Sequence, residues 1–236
     1  MTHFKTERGV GMNMKNIWKK AGRKSWVFLY MFIYFPWFFI LEHVVQDRYY
    51  LIECKLDHMI PFCEYFIVPY LFWFVYVAGS FVWFMLKEDD RMFYRFAGVM
   101  FGGMTIALII YTVFPNGIHL RPDLDASRNL FTWLTSLIYR ADTCTNVFPS
   151  LHVYTSAVIA IFFSKSRLVS EKTGMRYVFP VFSGLIILST VFLKQHSVLD
   201  MVAGNVMAWA LCRMAFVEEE EEDNAVGKRR RGLVLR

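Results

Sequence analysis

Cysteine is scarce in this chain and follows no pattern. Cys54, Cys63, Cys144 and Cys212 are the four present in 236 residues, and no two of them stand at C-x-x-C spacing. That excludes a zinc or dithiol redox motif and leaves ordinary thiols, with a Cys54–Cys63 bridge open if their loop faces an oxidising compartment. No internal repeat is evident. No small-residue cleavage site separates the basic N-terminal stretch from the apolar run after it, so no removable signal peptide is expected. The formal charge is +6, but the basic residues fall in blocks at the ends and between apolar runs. This arrangement speaks of membrane orientation, and no nucleic-acid partner is expected.

Apolar residues are abundant instead. The chain is 56% hydrophobic and 18% aromatic, with mean hydropathy +0.35; a soluble domain lies nearer 45–50% apolar. Six apolar runs appear, at about 26–41, 65–86, 96–115, 149–164, 177–193 and 198–217. Each reaches, or nearly reaches, the roughly 17–25 residues with which a helix crosses hydrocarbon, and helices are the structure such runs adopt there. The first and fourth are short, and the flanking Lys24 and Lys165 are expected to snorkel. The expected fold is all-α: an integral membrane bundle of six transmembrane helices. It occupies residues 25–217, between a basic N-terminal segment 1–24 and a charged tail 218–236.

Orientation follows from the cations. Twenty of the 26 Lys and Arg residues fall on the side that holds both termini; Arg48, Lys55, Arg121, Arg128, Arg140 and Lys194 fall on the other. The positive-inside rule places both termini in the cytoplasm of a multi-pass cell-membrane protein. The 116–150 connection is long for a bundle, and such loops usually carry function. Apolar residues recur at helical spacing from Asp125 or Ser127 to Tyr139, which predicts an interfacial helix with Trp133 at headgroup level. The acidic block Glu218–Asp223 and the basic block Lys228–Arg231 read as solvated, disordered tail. Gly98 and Gly102 form a G-x-x-x-G pair suited to close helix packing.

Arg121, His152, Lys194, His196 and Asp200 come from separate parts of the chain, yet all fall at the outer boundary. Ionisable groups gathered at helix ends in a membrane are functional candidates. His196 and Asp200 are four apart and share one helix face, so the carboxylate can fix the tautomer and leave Nε2 free as a nucleophile. Pro149, Ser150 and His152 open the fourth run, where Pro149 suits the first helical turn and free N–H groups favour an anion. Arg121 can fork onto a phosphate, Lys194 can add a point charge, and His152 can protonate a departing alcohol. A metal site built on His152, His196 and Asp200 ranks below direct phosphate chemistry, because no second carboxylate cluster accompanies them. No metal or cofactor is expected.

These residues resemble the signatures of the type 2 phosphatidic acid phosphatase superfamily of integral membrane lipid phosphatases. Its P-S-x-H motif matches Pro149-Ser150-Leu151-His152 in full. Its S-R-x5-H-x3-D motif matches at Ser189, His196 and Asp200, with Thr190 in place of arginine. Its K-x6-R-P motif keeps Arg121-Pro122, with Phe114 in place of lysine. The resemblance implies a phosphohistidine on His196, Asp200 as its orienting partner, His152 as acid and then base, and Arg121 as phosphate ligand. Lys194 and Arg140 are the candidates to supply the missing charge. Both departures, and Asp57-His58-Met59-Ile60-Pro61-Phe62 before the second run, also resemble the inositol-phosphoryl and phosphocholine transferase branch.

The function expected is a metal-independent lipid phosphatase, acting on a phospholipid or isoprenoid-lipid phosphate monoester or pyrophosphate at the extracytoplasmic face. A phosphotransferase of the same fold, and a non-catalytic lipid-binding or transport protein, are the alternatives.

Overall fold

A computed structural model describes residues 21–43, 49–171 and 174–234. The basic segment 1–20 lies outside the described residues. Among the described residues, five helices are long and apolar enough to cross a membrane: Ala21–His43, Glu64–Lys87, Asp90–Val113, Met175–Phe192 and Val198–Val217. The first is helical from Ala21, passes through a 3-10 stretch, Ser25–Tyr30, and continues as α1, Met31–His43; the second begins with the 3-10 turn Glu64–Phe66 and continues as α3, Ile67–Lys87. The others belong to α4 (Asp90–Val113), α8 (Met175–Phe192) and α9 (Val198–Val234). Short elements connect them: β1 (Tyr50–Leu51), α2 (Lys55–Met59), β2 (Asn116–Gly117), α5 (Leu130–Ala141) and α7 (Arg167–Ser170). Exposed Phe32, Val113, Trp209 and Met214 belong to an apolar outer surface that suits lipid and not water.

The fourth apolar run differs from the others. It forms α6, Leu151–Lys165, whose 15 residues span about 22 Å at 1.5 Å each, short of the ~30 Å of hydrocarbon. α6 packs mainly on α8 and α9, and nine of its side chains are buried, among them Tyr154, Phe162 and Phe163. Its composition is apolar because protein encloses it. Close approach is concentrated here too. A Cβ on Gly103 of α4 would lie 2.0 Å from the Tyr154 ring, and one on Gly204 of α9 would lie 2.8 Å from the Ser150 carbonyl. Gly98 and Gly102, the expected packing pair, have nothing within 4 Å of such a Cβ. They line a groove of about 270 Å³ beside Leu211 and Met214 instead.

Polar layers close both ends of the bundle. Lys24 does not snorkel: it is fully buried, donating to the carbonyls of Glu88 (3.1 Å) and Asp89 (3.3 Å), with Asp90 3.4 Å away. At the opposite end β1 pairs in parallel with β2, and Gly117 bridges to Thr145. Asn116 holds the turn into α6, its Oδ1 accepting from Val147 N (2.9 Å) and Phe148 N (2.8 Å). The four cysteines are free thiols, so Cys54 and Cys63 are not bridged.

Two helix boundaries differ from their expected places. α5 starts at Leu130, because Asn129 accepts from Thr132 N in a capping box, while Asp125 is used in a turn with Ser127. Its inner face packs Phe131, Leu134 and Ile138 on Ile67, Tyr70 and Leu193. The backbone of α9 is helical as far as Val234, through the run for which the sequence suggests a disordered tail. Its Glu and Arg blocks are both good helix formers.

Candidate active site

The site is set by the way α8 ends. Gln195 N donates to the Thr190 carbonyl (2.9 Å) and Lys194 N to that of Val191 (3.2 Å), the two bonds of a Schellman termination. Lys194 takes the left-handed position of that motif at φ 53°, where glycine is usual. Its ammonium is bound to the carbonyls of Asp57 and Ile60 at the end of α2, which holds the strained residue in place. Burial lowers its pKa, and the Asp57 charge opposes that shift. Lys194 is thus committed to the 57–60 turn.

The termination delivers Gln195 and His196 to the entry of α9. Asp57 receives Ser197 Oγ, Val198 N and Cys54 N, each at 2.7 Å, and so fastens α2 to the start of α9. Burial pushes that carboxyl up, but these donors outweigh it and leave the pKa lowered. Asp200 accepts from Ser197 N at 2.8 Å through Oδ2, and the same oxygen stands 3.4 Å from His196 Nδ1. That separation is longer than a hydrogen bond, as is common before substrate tightens a catalytic pair. Burial, then the Arg121 charge, push the His196 imidazole down to about 3 against the opposing pull of the Val147 carbonyl. At neutral pH it is uncharged.

His152, at the start of α6, stacks between Tyr70 (4.7 Å between centroids) and Trp73 (4.2 Å), with the His196 ring 5.6 Å away. Ser150 is the N-cap of α6, accepting from Val153 N, and Pro149 precedes the helix instead of opening it. Ser150 is fully buried and its N–H goes to the Asp200 carbonyl at 3.3 Å, so it joins α6 to α9 and does not face the cavity.

Arg121 is held by the far end of α5. Its guanidinium donates to the carbonyls of Tyr139 (3.1 Å), Asp142 (2.8 Å) and Thr143 (2.8 Å), donates to Gln195 Oε1, and lies over the Tyr139 ring. One N–H, on Nε, remains without a partner. Arg140 is exposed and outside the cavity lining. The structure therefore gathers His152, His196 and Asp200, with Arg121 reaching them through Gln195; Ser150, Lys194 and Arg140 stand apart.

Both histidines face the polar end of a cavity of about 530 Å³, whose walls are mostly aromatic and aliphatic residues of α1, α3 and α4. Glu42, Asp142, Asn146 and Gln195 line that same end and were not singled out from the sequence. Gln195 sits in the variable stretch of a motif, and Glu42 closes an apolar run, so neither carries a local signal. Among the described residues no group of three His, Cys, Asp or Glu is placed to hold a metal ion.

The described residues thus form a helical bundle in which His152, from the start of α6, and His196, from the turn before α9, meet at the polar end of a mostly apolar cavity. The PAP2 superfamily model matches residues 53–214, and the chain belongs to that superfamily. Membership points to phosphatase- or phosphotransferase-type chemistry. Comparison with curated proteins and with solved structures gives no match.

Proposed function

We propose that this protein cleaves a phosphoester of a membrane lipid through a phosphohistidine on His196, without a metal ion, at the extracytoplasmic face. α6 serves as the sixth span. The observation that carries the reading is His196, with Asp200 3.4 Å from its Nδ1 and the His152 ring 5.6 Å away, at the head of a cavity lined mostly by apolar residues. His196 attacks phosphorus; Asp200 holds its Nδ1–H; His152 protonates the departing lipid alcohol and later takes a proton from the acceptor. The Gln195 amide, fixed by Arg121, donates to a phosphate oxygen, with Arg121 supplying the charge behind it. Water is the first acceptor considered, giving a lipid phosphatase. Transfer to a lipid or polyol alcohol is the second reading, favoured by the mostly apolar cavity, which limits water. Among the described residues no Lys or Arg lines the cavity, which favours a singly charged phosphodiester over a monoester dianion.

The test is direct. Purified protein given lipid labelled in the phosphoryl group forms an acid-labile, base-stable phosphoenzyme, and His196→Ala forms none and turns nothing over. His152→Ala accumulates the phosphoenzyme with an activated leaving group. Chelators leave the rate unchanged. Turnover by His196→Ala, or loss on chelation restored by a divalent ion, overturns the mechanism.

A further inference from the structure

The orientation of the Asn146 amide is fixed by its neighbours. Its Nδ2 donates to the Leu41 carbonyl at 3.1 Å and to Glu42 Oε1 at 3.3 Å, so the Oδ1 is the end left over. That oxygen is buried without a partner, in a side chain only 6% exposed that lines the cavity. Glu42 is fixed as well, its Oε2 accepting from Thr143 N (3.2 Å) and Thr143 Oγ1 (2.7 Å). Asp142 lines the same end. A buried acceptor without a donor is costly unless a ligand supplies one.

The charges here have the wrong sign for phosphate alone. Among the described residues, the ionisable groups of Asp, Glu, His, Lys and Arg that line the cavity are Glu42, Asp142, His152 and His196, and the guanidinium of Arg121 stands behind Gln195. A monoester dianion would meet two carboxylates with one cation to offset them. A phosphodiester whose second substituent is positively charged would meet its complement: carboxylates and an orphan carbonyl oxygen for the cation, Gln195 Nε2 and the histidines for the phosphate. Tyr34, Tyr70 and Trp73 line the adjoining wall, and rings of this kind attract ammonium groups.

We propose that Glu42, Asn146 and Asp142 form a headgroup subsite for the ammonium of an amino-alcohol phosphodiester lipid, beside the histidines that take its phosphate. The proposal rests on the phosphoester reading above. His196 then bonds to phosphorus as the P–O bond to the lipid alcohol breaks, and that oxygen takes the His152 proton. The amino-alcohol phosphoryl group stays on His196, held through its ammonium. Water or an acceptor alcohol next bonds to phosphorus, returns a proton to His152 and frees His196.

Two measurements on the full chain in detergent test this separately from the chemistry. The first is thermal protection by soluble phosphocholine, glycerol phosphate and inositol phosphate. Phosphocholine is expected to protect the wild type at the lowest concentration, with that advantage reduced about tenfold by Glu42→Gln or Asp142→Asn, the loss of one charge-assisted contact. The second is turnover of three lipids with identical acyl chains, bearing choline, inositol or no headgroup on the phosphate. The choline lipid is expected to have the highest kcat/KM, and each variant to narrow its lead. Equal or better protection of the wild type by inositol phosphate or glycerol phosphate overturns the headgroup assignment, as does preferred turnover of either other lipid. Selective protection without any turnover keeps the subsite and refutes the phosphoester reading.

Discussion

Gln195→Glu separates what the amide does for the fold from what it does for the reaction. The wild-type Oε1 accepts from Arg121, and a glutamate carboxylate would accept from the same guanidinium as an ion pair, so the protein should fold at least as well. What disappears is Nε2, the buried amide nitrogen that has no partner and faces the cavity beside His196. A neutral donor to a charged oxygen is worth roughly 1.5–3 kcal/mol, about 10- to 150-fold in rate. A carboxylate about 5 Å from the phosphate adds roughly 3 kcal/mol of repulsion at an effective dielectric of about 20, part of which Arg121 offsets. The expected loss in kcat/KM is therefore at least about 100-fold. Gln195→Met behaves in the opposite sense: it leaves one buried Arg121 N–H unpaired, costing roughly 1–3 kcal/mol of stability, while adding no charge at the site. The assay is kcat/KM in mixed micelles alongside thermal unfolding of the same samples. A Glu variant that is stable and fully active would show that the amide does not face the reacting phosphate.

Other expectations follow from packing, charge and sidedness. Gly103→Ala drives a methyl into Tyr154, whose hydroxyl donates to the Val99 carbonyl, and should cost about 1–3 kcal/mol in thermal unfolding, whereas Gly98→Ala and Gly102→Ala should stay within about 0.5 kcal/mol. Burial and then Glu42 push the Asp142 carboxyl up to about 6, against Arg121 and the Tyr70 hydroxyl, so it is neutral below that pH and charged above it. KM for an ammonium-bearing lipid should fall as pH rises from 5 to 7, and Asp142→Asn should flatten that limb. With native cysteines replaced, Ser127→Cys should react with an impermeant thiol reagent on intact cells and Arg167→Cys should not; the reverse would invert the orientation.

The bundle was legible because hydrocarbon-facing helices are long and uniformly apolar, and five of the runs lie within helices long enough to span. α6 was read as a run like the others; it is enclosed by protein, and because burial in protein and burial in lipid select the same residues, a one-dimensional hydropathy run does not tell an enclosed helix from a lipid-facing one. The start of α4 at Asp90 was missed for a different reason: charged Arg91 and Arg95 mask a turn that Asp89 caps through Met92 N at 2.7 Å. At the site, His152, His196 and Asp200 were legible because their spacing to Pro149 and to each other is local. Lys194 was misleading. It is a basic residue two positions from His196, but its left-handed backbone turns the side chain to the 57–60 carbonyls, and nothing in its sequence neighbourhood announces a Schellman turn without glycine.

The substitution at 190 shows how the rest of the site fits together. Thr190 stands where the related motif has arginine, and its hydroxyl donates back to the Ile187 carbonyl, so it presents no donor to the cavity. Its backbone carbonyl receives the N–H groups of both Gln195 and His196. The position thus keeps the geometric task of setting the turn while the electrostatic one moves elsewhere. Arg121 is the cation nearest to that task, but four of its five N–H groups are spent on the end of α5 and on Gln195, so it acts on phosphate chiefly through the amide and at longer range. A site charged in this way has weak attraction for a dianion and adequate attraction for a monoanion. Glu42 and Asp142 then shift the balance further, since their cost is offset only when the substrate brings a cation of its own. On the proposed headgroup reading, the loss of two motif cations and the presence of two unanticipated carboxylates are one adaptation, to a phosphate that carries its own positive charge.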